Sequence, residues 1–197
     1  MSIQRDIEFI YEVGALRHMD RMWKRFLNAD FANNTEHMYR VVWIALIIAK
    51  YEGVKDTGKI VKMAIAHDIA ESRTGDVDYL GRQYVERNEA MALNDMLTDT
   101  SIEAEFKELL HEYEVRESIE SRIVKDADNL DVDFELREQL TRGHEIGSIW
   151  KTMRQDVNAR KLYTKTAQKI AASIEASNPH DWHLNGRNRH LSGDWKK

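Results

Sequence analysis

Apolar positions recur along most of the chain at spacings of three and four, the period of an α-helix that turns one face to a core. Ile3, Ile7 and Ile10, with Val13, predict a first helix over residues 2–16 that buries this stripe. A basic, aromatic stretch from Arg17 to Phe26 follows. Asn33-Asn34-Thr35 then offers cap residues for a second helix over residues 37–51, which Gly53 can end. Thr57 can cap a third helix running to Glu71, because Thr74-Gly75-Asp76 reads as a turn. Further helices are expected over residues 84–97, 102–113, 117–140, 146–153 and 157–174, the long one closed by Gly143. Residues 1–176 therefore read as one helical domain. Residues 177–197 hold the only proline and little periodicity, and read as an irregular tail rather than a second domain.

Composition agrees with an all-α fold. One proline and nine glycines in 197 residues are too few for a sandwich or barrel, which needs a turn about every 8–12 residues. Cysteine is absent, so thiol nucleophiles and zinc-thiolate sites are excluded, and any metal must be held by histidines and carboxylates. Thirty-four acidic against 29 basic residues give a net charge of -5, a poor match for nucleic-acid polymers or acidic membranes. Small molecules are the expected partners. The longest apolar run, Val41 to Ala49, falls far short of the roughly 18 residues of a membrane span. The opening MSIQRDIEFI lacks the basic and apolar regions of a signal peptide, so the expected location is cytoplasmic.

Polar residues on otherwise apolar helical faces carry the candidate chemistry, since a buried charge must be paired, metal-bound or functional. His37 lies on the stripe of Val41, Ile44 and Ile48, and His67 on that of Ile60, Met63, Ala64 and Glu71, with Asp68 beside it. One inward histidine is commonly a core residue bonded to a carbonyl. Two on neighbouring helices, with carboxylates alongside, suggest a metal centre. A further carboxylate should come from the acidic sixth helix, which offers Asp126, Asp128, Asp131 and Asp133. Asp126 shares a face with Ile119, Ile123 and Leu130, and Asp128 lies between Val124 and Val132, so periodicity leaves both open.

Three stretches, TEHMYRVVWIALIIAK around His37, AIAHDIAESRTGDV around His67-Asp68 and VKDADNLDV around Asp128, together resemble the HD-domain metal-dependent phosphohydrolases, and within them the 5'-deoxynucleotidase-like branch. The resemblance spans about residues 16–140 and implies an HD-domain bundle of roughly six to eight helices. It carries the metal ligands over to His37, His67, Asp68 and Asp128, the last placed by Ala-Asp-x-Leu. It likewise puts Glu71 and Asp76 on the family's catalytic acidic positions and Trp23 near the site entrance. Family nucleotidases often carry an arginine directly before that tryptophan to hold phosphate, and here the position is Met22. Arg17, Arg21 or Arg40 is expected to serve instead. Members with two metals recruit extra histidines between His-Asp and the last Asp, and only His111 lies there. The resemblance therefore implies one divalent ion, Mn, Co, Mg or Fe.

The expected activity is hydrolysis of a phosphate monoester, such as a (deoxy)nucleoside 5'-monophosphate. Met22 motivates an alternative, another small phosphate ester. A different class of reading is a non-catalytic helical module with a structural metal, which would need neither Glu71 nor Asp76. The resemblance also implies a homodimer, for which Trp43 and Trp150 are candidate contacts.

Overall fold

The computed structural model describes residues 1–27 and 30–185. Helices α1 (Ile3–Gly14), α2 (Asn34–Tyr51), α3 (Gly58–Ala66), α4 (Glu71–Thr74), α5 (Glu89–Leu97), α6 (Glu103–Val115), α7 (Ile119–Thr141), α8 (Ile146–Ile149), α9 (Lys151–Lys161), α10 (Lys165–Ala176) and α11 (Asp181–Leu184) follow one another, and no strand occurs among the described residues. The fold is an all-α bundle. Its centre is α2 packed along α7, with α3, α6 and α10 around them.

The main core joins Val41, Ile44 and Ile48 of α2, Ile60 and Met63 of α3, and Ile123, Val124 and Leu130 of α7. A second cluster contains Leu16, Met38, Ile69, Met96, Leu97 and Leu110. Both ends of α2 follow from its sequence. Asn33 accepts from the Glu36 backbone while Glu36 bonds back to the Asn33 N–H, a reciprocal cap. Beyond Tyr51 the chain leaves the helix through Gly53, whose φ of 75° suits glycine.

Three expectations are corrected. The first helix is rotated away from its predicted inward stripe, because Ile3 is 79% and Ile10 64% exposed. Arg5 faces inward instead, donating to the carbonyls of Asp95, Met96 and Thr98 at the end of α5. Those terminal carbonyls have no helical partner and attract a cation, so Phe9 packs inward together with Val13, the one member of the predicted stripe that does so. The third helix stops at Ala66, not Glu71; residues 67–70 form a tight turn with Ile69 N bonded to the Ala66 carbonyl and Glu71 N to that of Asp68. The last long helix is split at Leu162–Thr164 into α9 and α10. Asp126, buried in α7, accepts from Tyr163 N, Thr164 N and Thr164 Oγ1, holding the break in place.

Most of the tail expectation lies outside the described residues, Trp195 included. The described part of it contains α11, with Trp182 exposed. No helix among the described residues is long and apolar enough to cross a membrane.

Candidate metal centre

Where α2, the turn after α3, and α7 meet, two imidazoles and a carboxylate converge. One ligand atom each from His37, His67 and Asp128 lies within 4.8 Å of the others. His37 comes from the first turns of α2, fully buried, and its Nε2 lies 3.3 Å from Asp128 Oδ1 and 3.5 Å from Asp68 Oδ2. His67 follows α3 directly, its Nδ1 bonded to the Ala64 carbonyl at 2.8 Å and its Nε2 3.3 Å from Asp68 Oδ2. The break in α3 thus sets Asp68 against both rings. Asp128 is also paired with Lys125 at 2.7 Å, whereas Asp126 is spent on the 162–164 backbone.

The Nε2 atoms of His37 and His67 are buried without a directed hydrogen-bond partner, as are Arg21 Nε and Asn34 Oδ1. Only one other such side-chain atom occurs among the described residues, on Glu112. Orphaned buried polar atoms are costly, and so many at one place mark a site built for a ligand. Both histidines hold Nδ1 in a hydrogen bond and aim Nε2 inward, the arrangement in which an imidazole binds a metal. With two imidazoles and two carboxylates around it, the site fits a divalent cation.

Electrostatics agree. Burial and the neighbouring Arg21 oppose protonation of His37, but the facing carboxylates of Asp128, Asp131 and Asp68 outweigh them and raise its pKa to about 10. Burial would raise Asp68, yet the adjacent rings of His67 and His37 hold it well below the usual carboxylate range. Asp128 is likewise lowered against its burial, chiefly by Lys125 and the two histidines. These carboxylates carry a negative charge that a cation offsets.

Glu71 sits buried at the start of α4, one turn past the centre. Its carboxylate accepts from Asn34 Nδ2 at 2.6 Å and from Arg87 at 3.0 Å. Burial, then the charges of Asp68 and Asp76, raise its pKa to about 7, against the opposing Arg87 and Arg21. Gly75, with φ 72° and ψ 157°, a conformation close to glycine-only, turns the chain after α4 and offers its carbonyl to Arg87. Asp76 follows it and accepts from the Met22 N–H at 2.7 Å. That bond draws the 19–26 segment over the centre.

Arg21 is only 8% exposed. Burial weakens its protonation, but the charges of Asp131, Asp128, Asp68 and Asp76 outweigh this and raise its pKa, so its guanidinium faces the carboxylates of the centre. The other two arginines are placed elsewhere. Arg17 is exposed and bonds the ring of its neighbour His18, and Arg40 is held by Asp131, Glu135 and Glu138 of α7. Trp23 joins Trp150, Tyr79 and Phe26 in an aromatic cluster, its ring centroid 5.2 Å from that of Trp150 and 6.0 Å from that of Tyr79. A cavity of about 540 Å³ opens beside His67, Asp68 and Glu71 and is lined also by Leu93, Leu97, Leu110, Asn94 and Arg87. A larger one, about 670 Å³, between α7, α9 and α10 contains none of these groups.

A family model described as HD domain matches residues 13–175. The chain belongs to the HD-domain family. Among curated proteins, this HD domain is 28% identical over 176 residues to the 5'-deoxynucleotidase HDDC2 of Homo sapiens, covering 86% of this chain and 84% of that one. It is 30% identical over 138 residues to the protein of the same name from Danio rerio, covering 67% and 68%. Among solved structures, a conserved hypothetical protein from Pyrococcus furiosus superposes with a TM-score of 0.72 at 26% identity, covering 87% of this chain and 99% of that one. The HD domain thus has both relatives and fold-mates along most of its length.

Four residues at the centre escape a periodicity reading: Asn34, Arg87, Tyr113 and Lys125. Tyr113 sets its ring edge against His67, centroids 5.7 Å apart. Lys125 lies inside the VKDADNLDV stretch and Asn34 just before that of His37, but nothing local marks Arg87 or Tyr113, whose roles depend on contacts between distant helices.

Proposed function

We propose that this HD domain is a metal-dependent phosphohydrolase that releases phosphate from (deoxy)nucleoside 5'-monophosphates. The observation that carries the reading is the pair of buried, unpartnered Nε2 atoms of His37 and His67 facing Asp68 and Asp128, beside a carboxyl whose pKa is about 7. His37, His67, Asp68 and Asp128 would hold one divalent ion, Mn, Co, Mg or Fe. Such an ion supplies Lewis-acid polarisation of a phosphoryl oxygen and acidifies water.

The chain's own groups do the rest. Glu71, oriented by Asn34 and Arg87, accepts the proton of the attacking water, its pKa suited to transfer near neutrality. Asp76, fixed by Met22 N, orients the reacting phosphate ester. Arg21 supplies the phosphate contact that Met22 cannot, because its guanidinium faces the centre while Arg17 and Arg40 are engaged elsewhere. Trp23, braced by Trp150 and Tyr79, walls the entrance. The 540 Å³ cavity is within the size range of small-molecule sites and takes the nucleoside portion. A purely structural metal site would need neither Glu71 nor Asp76 in these positions. The names of the HDDC2 relatives support the nucleotide. A cytoplasmic homodimer completes the proposal, with the exposed Tyr39, Trp43, Ile47 and Tyr51 of α2 as the surface a second copy would cover.

A panel of mononucleotides and sugar phosphates, read as phosphate release, tests the substrate. Release from deoxynucleoside 5'-monophosphates is expected, whereas release from sugar phosphates alone would replace the nucleotide reading with the other small phosphate ester.

A further inference from the structure

His37 is gripped at both ring nitrogens by one helix. Asp128 of α7 faces its Nε2, and Asp131, one turn further along α7, takes its Nδ1 at 2.6 Å. Asp131 is itself buried and does not stand alone. Its other oxygen accepts from Arg40 Nε at 2.5 Å, and the rest of that guanidinium is held by Glu135 and by both oxygens of Glu138, at 3.0 and 2.9 Å. Asp131, Glu135 and Glu138 fall at i, i+4 and i+7 on α7, so they form one stripe toward α2. Arg40 lies three residues after His37, on the same side of α2. The result is a chain of charged contacts, from Glu135 and Glu138 through Arg40 and Asp131 to His37.

His67 provides the internal contrast. Its Nδ1 bonds a backbone carbonyl, that of Ala64, which fixes the ring without adding charge. A carboxylate at Nδ1 does more: it holds the Nδ1 proton in place, so that Nε2 is the nitrogen that gives its lone pair to a metal, and it strengthens the ring as a ligand. Arg40 keeps that carboxylate from rotating away.

Building on the metal-centre reading, we infer that Asp131, clamped by Arg40, is a positioning residue that fixes the tautomer and orientation of His37 and so sets the affinity of the centre for its metal. Arg40 therefore acts through Asp131 and not on substrate.

Zn²⁺ serves as a diamagnetic probe. Its dissociation constant is measured by competition with a chelator, and long-range ¹H–¹⁵N spectra of the imidazoles report which ring nitrogen carries hydrogen. In the Zn²⁺-loaded wild type both histidines should show hydrogen on Nδ1 alone. Asp131→Ala should weaken Zn²⁺ binding by about 10- to 100-fold and remove the single-tautomer signature of His37 while leaving that of His67. Asp131→Asn keeps an acceptor oxygen without the charge and carries the test should Asp131→Ala fail to fold; it should weaken Zn²⁺ by a smaller factor, and Arg40→Gln likewise. Affinity within twofold of wild type in Asp131→Asn and Arg40→Gln, with the His37 signature intact, overturns the inference. Failure of the wild type itself to bind Zn²⁺ overturns the metal-centre reading instead, so the two failures are distinct.

Discussion

At the scale of the residue, the site sets protons against metal. His37 has a pKa near 10 because Asp128, Asp131 and Asp68 outweigh burial and Arg21, so below that pH the metal-free ring carries a proton on the nitrogen a cation needs. Metal binding must expel it. The affinity for a divalent ion should therefore rise about tenfold per pH unit between pH 6 and 9, with close to one proton released per ion, as calorimetry in buffers of differing ionisation enthalpy would measure. A pH-independent affinity would contradict this electrostatic account. The sign for stability is opposite: a folded pKa raised above the unfolded value near 6.5 stabilises the metal-free protein fully below about pH 6.5, and that contribution is lost as pH rises through about 10. Motif and spacing made His37, His67 and Asp68 legible in the sequence. Arg21 could be named only among several arginines, because its burial depends on the Met22–Asp76 bond, a contact across more than fifty residues.

At the scale of the element, helix starts written in local cap residues were readable, and helix breaks made by distant groups were not. Asn33, one of the cap residues the sequence offers, caps α2; α7 begins within a few residues of its expected start, capped by Ser118, which the periodicity places inside the helix. Nothing local ends α3 at Ala66, since Ile69 and Ala70 continue an apolar helical pattern. The turn there is what separates His67 and Asp68 from a plain helical face. The split between α9 and α10 rests on Asp126, whose burial raises its pKa against three hydrogen bonds from Tyr163 and Thr164. Periodicity could not divide labour between Asp126 and Asp128; the structure gives the first to a loop and points the second at His37. Asp126→Ala should accordingly cost about 3 kcal/mol, from the donors left unpaired, lowering the urea midpoint while metal stoichiometry stays at wild-type level. Loss of metal with unchanged stability would reverse the assignment.

At the scale of the whole molecule, two apolar clusters meet at the proposed metal centre. His37 lies beside Met38 of the second cluster and one turn before Val41 of the first, and the segment carrying Arg21 and Trp23 is tied to Asp76 through the Met22 N–H. The general arrangement, helices around a buried histidine and carboxylate set, was legible from periodicity and motif order. The rotation of α1 was not, because Arg5 reaches carbonyls more than ninety residues away. That rotation leaves Ile3 and Ile10 exposed, and on α2 the stripe Tyr39, Trp43, Ile47 and Tyr51 is exposed as well. Apolar stripes of this kind mark contact surfaces. Trp43→Glu should shift the mass measured by light scattering from two chains to one; an unchanged mass would remove α2 as the homodimer surface.

The central claim is that phosphate release depends on an ion held by His37, His67, Asp68 and Asp128. It is tested most directly by stripping the protein with a chelator, restoring a divalent ion stepwise, and following phosphate release from a deoxynucleoside 5'-monophosphate against bound metal. Release should be absent from the stripped protein and return in proportion to metal, saturating at one ion per chain. Undiminished release from metal-free protein would contradict the account.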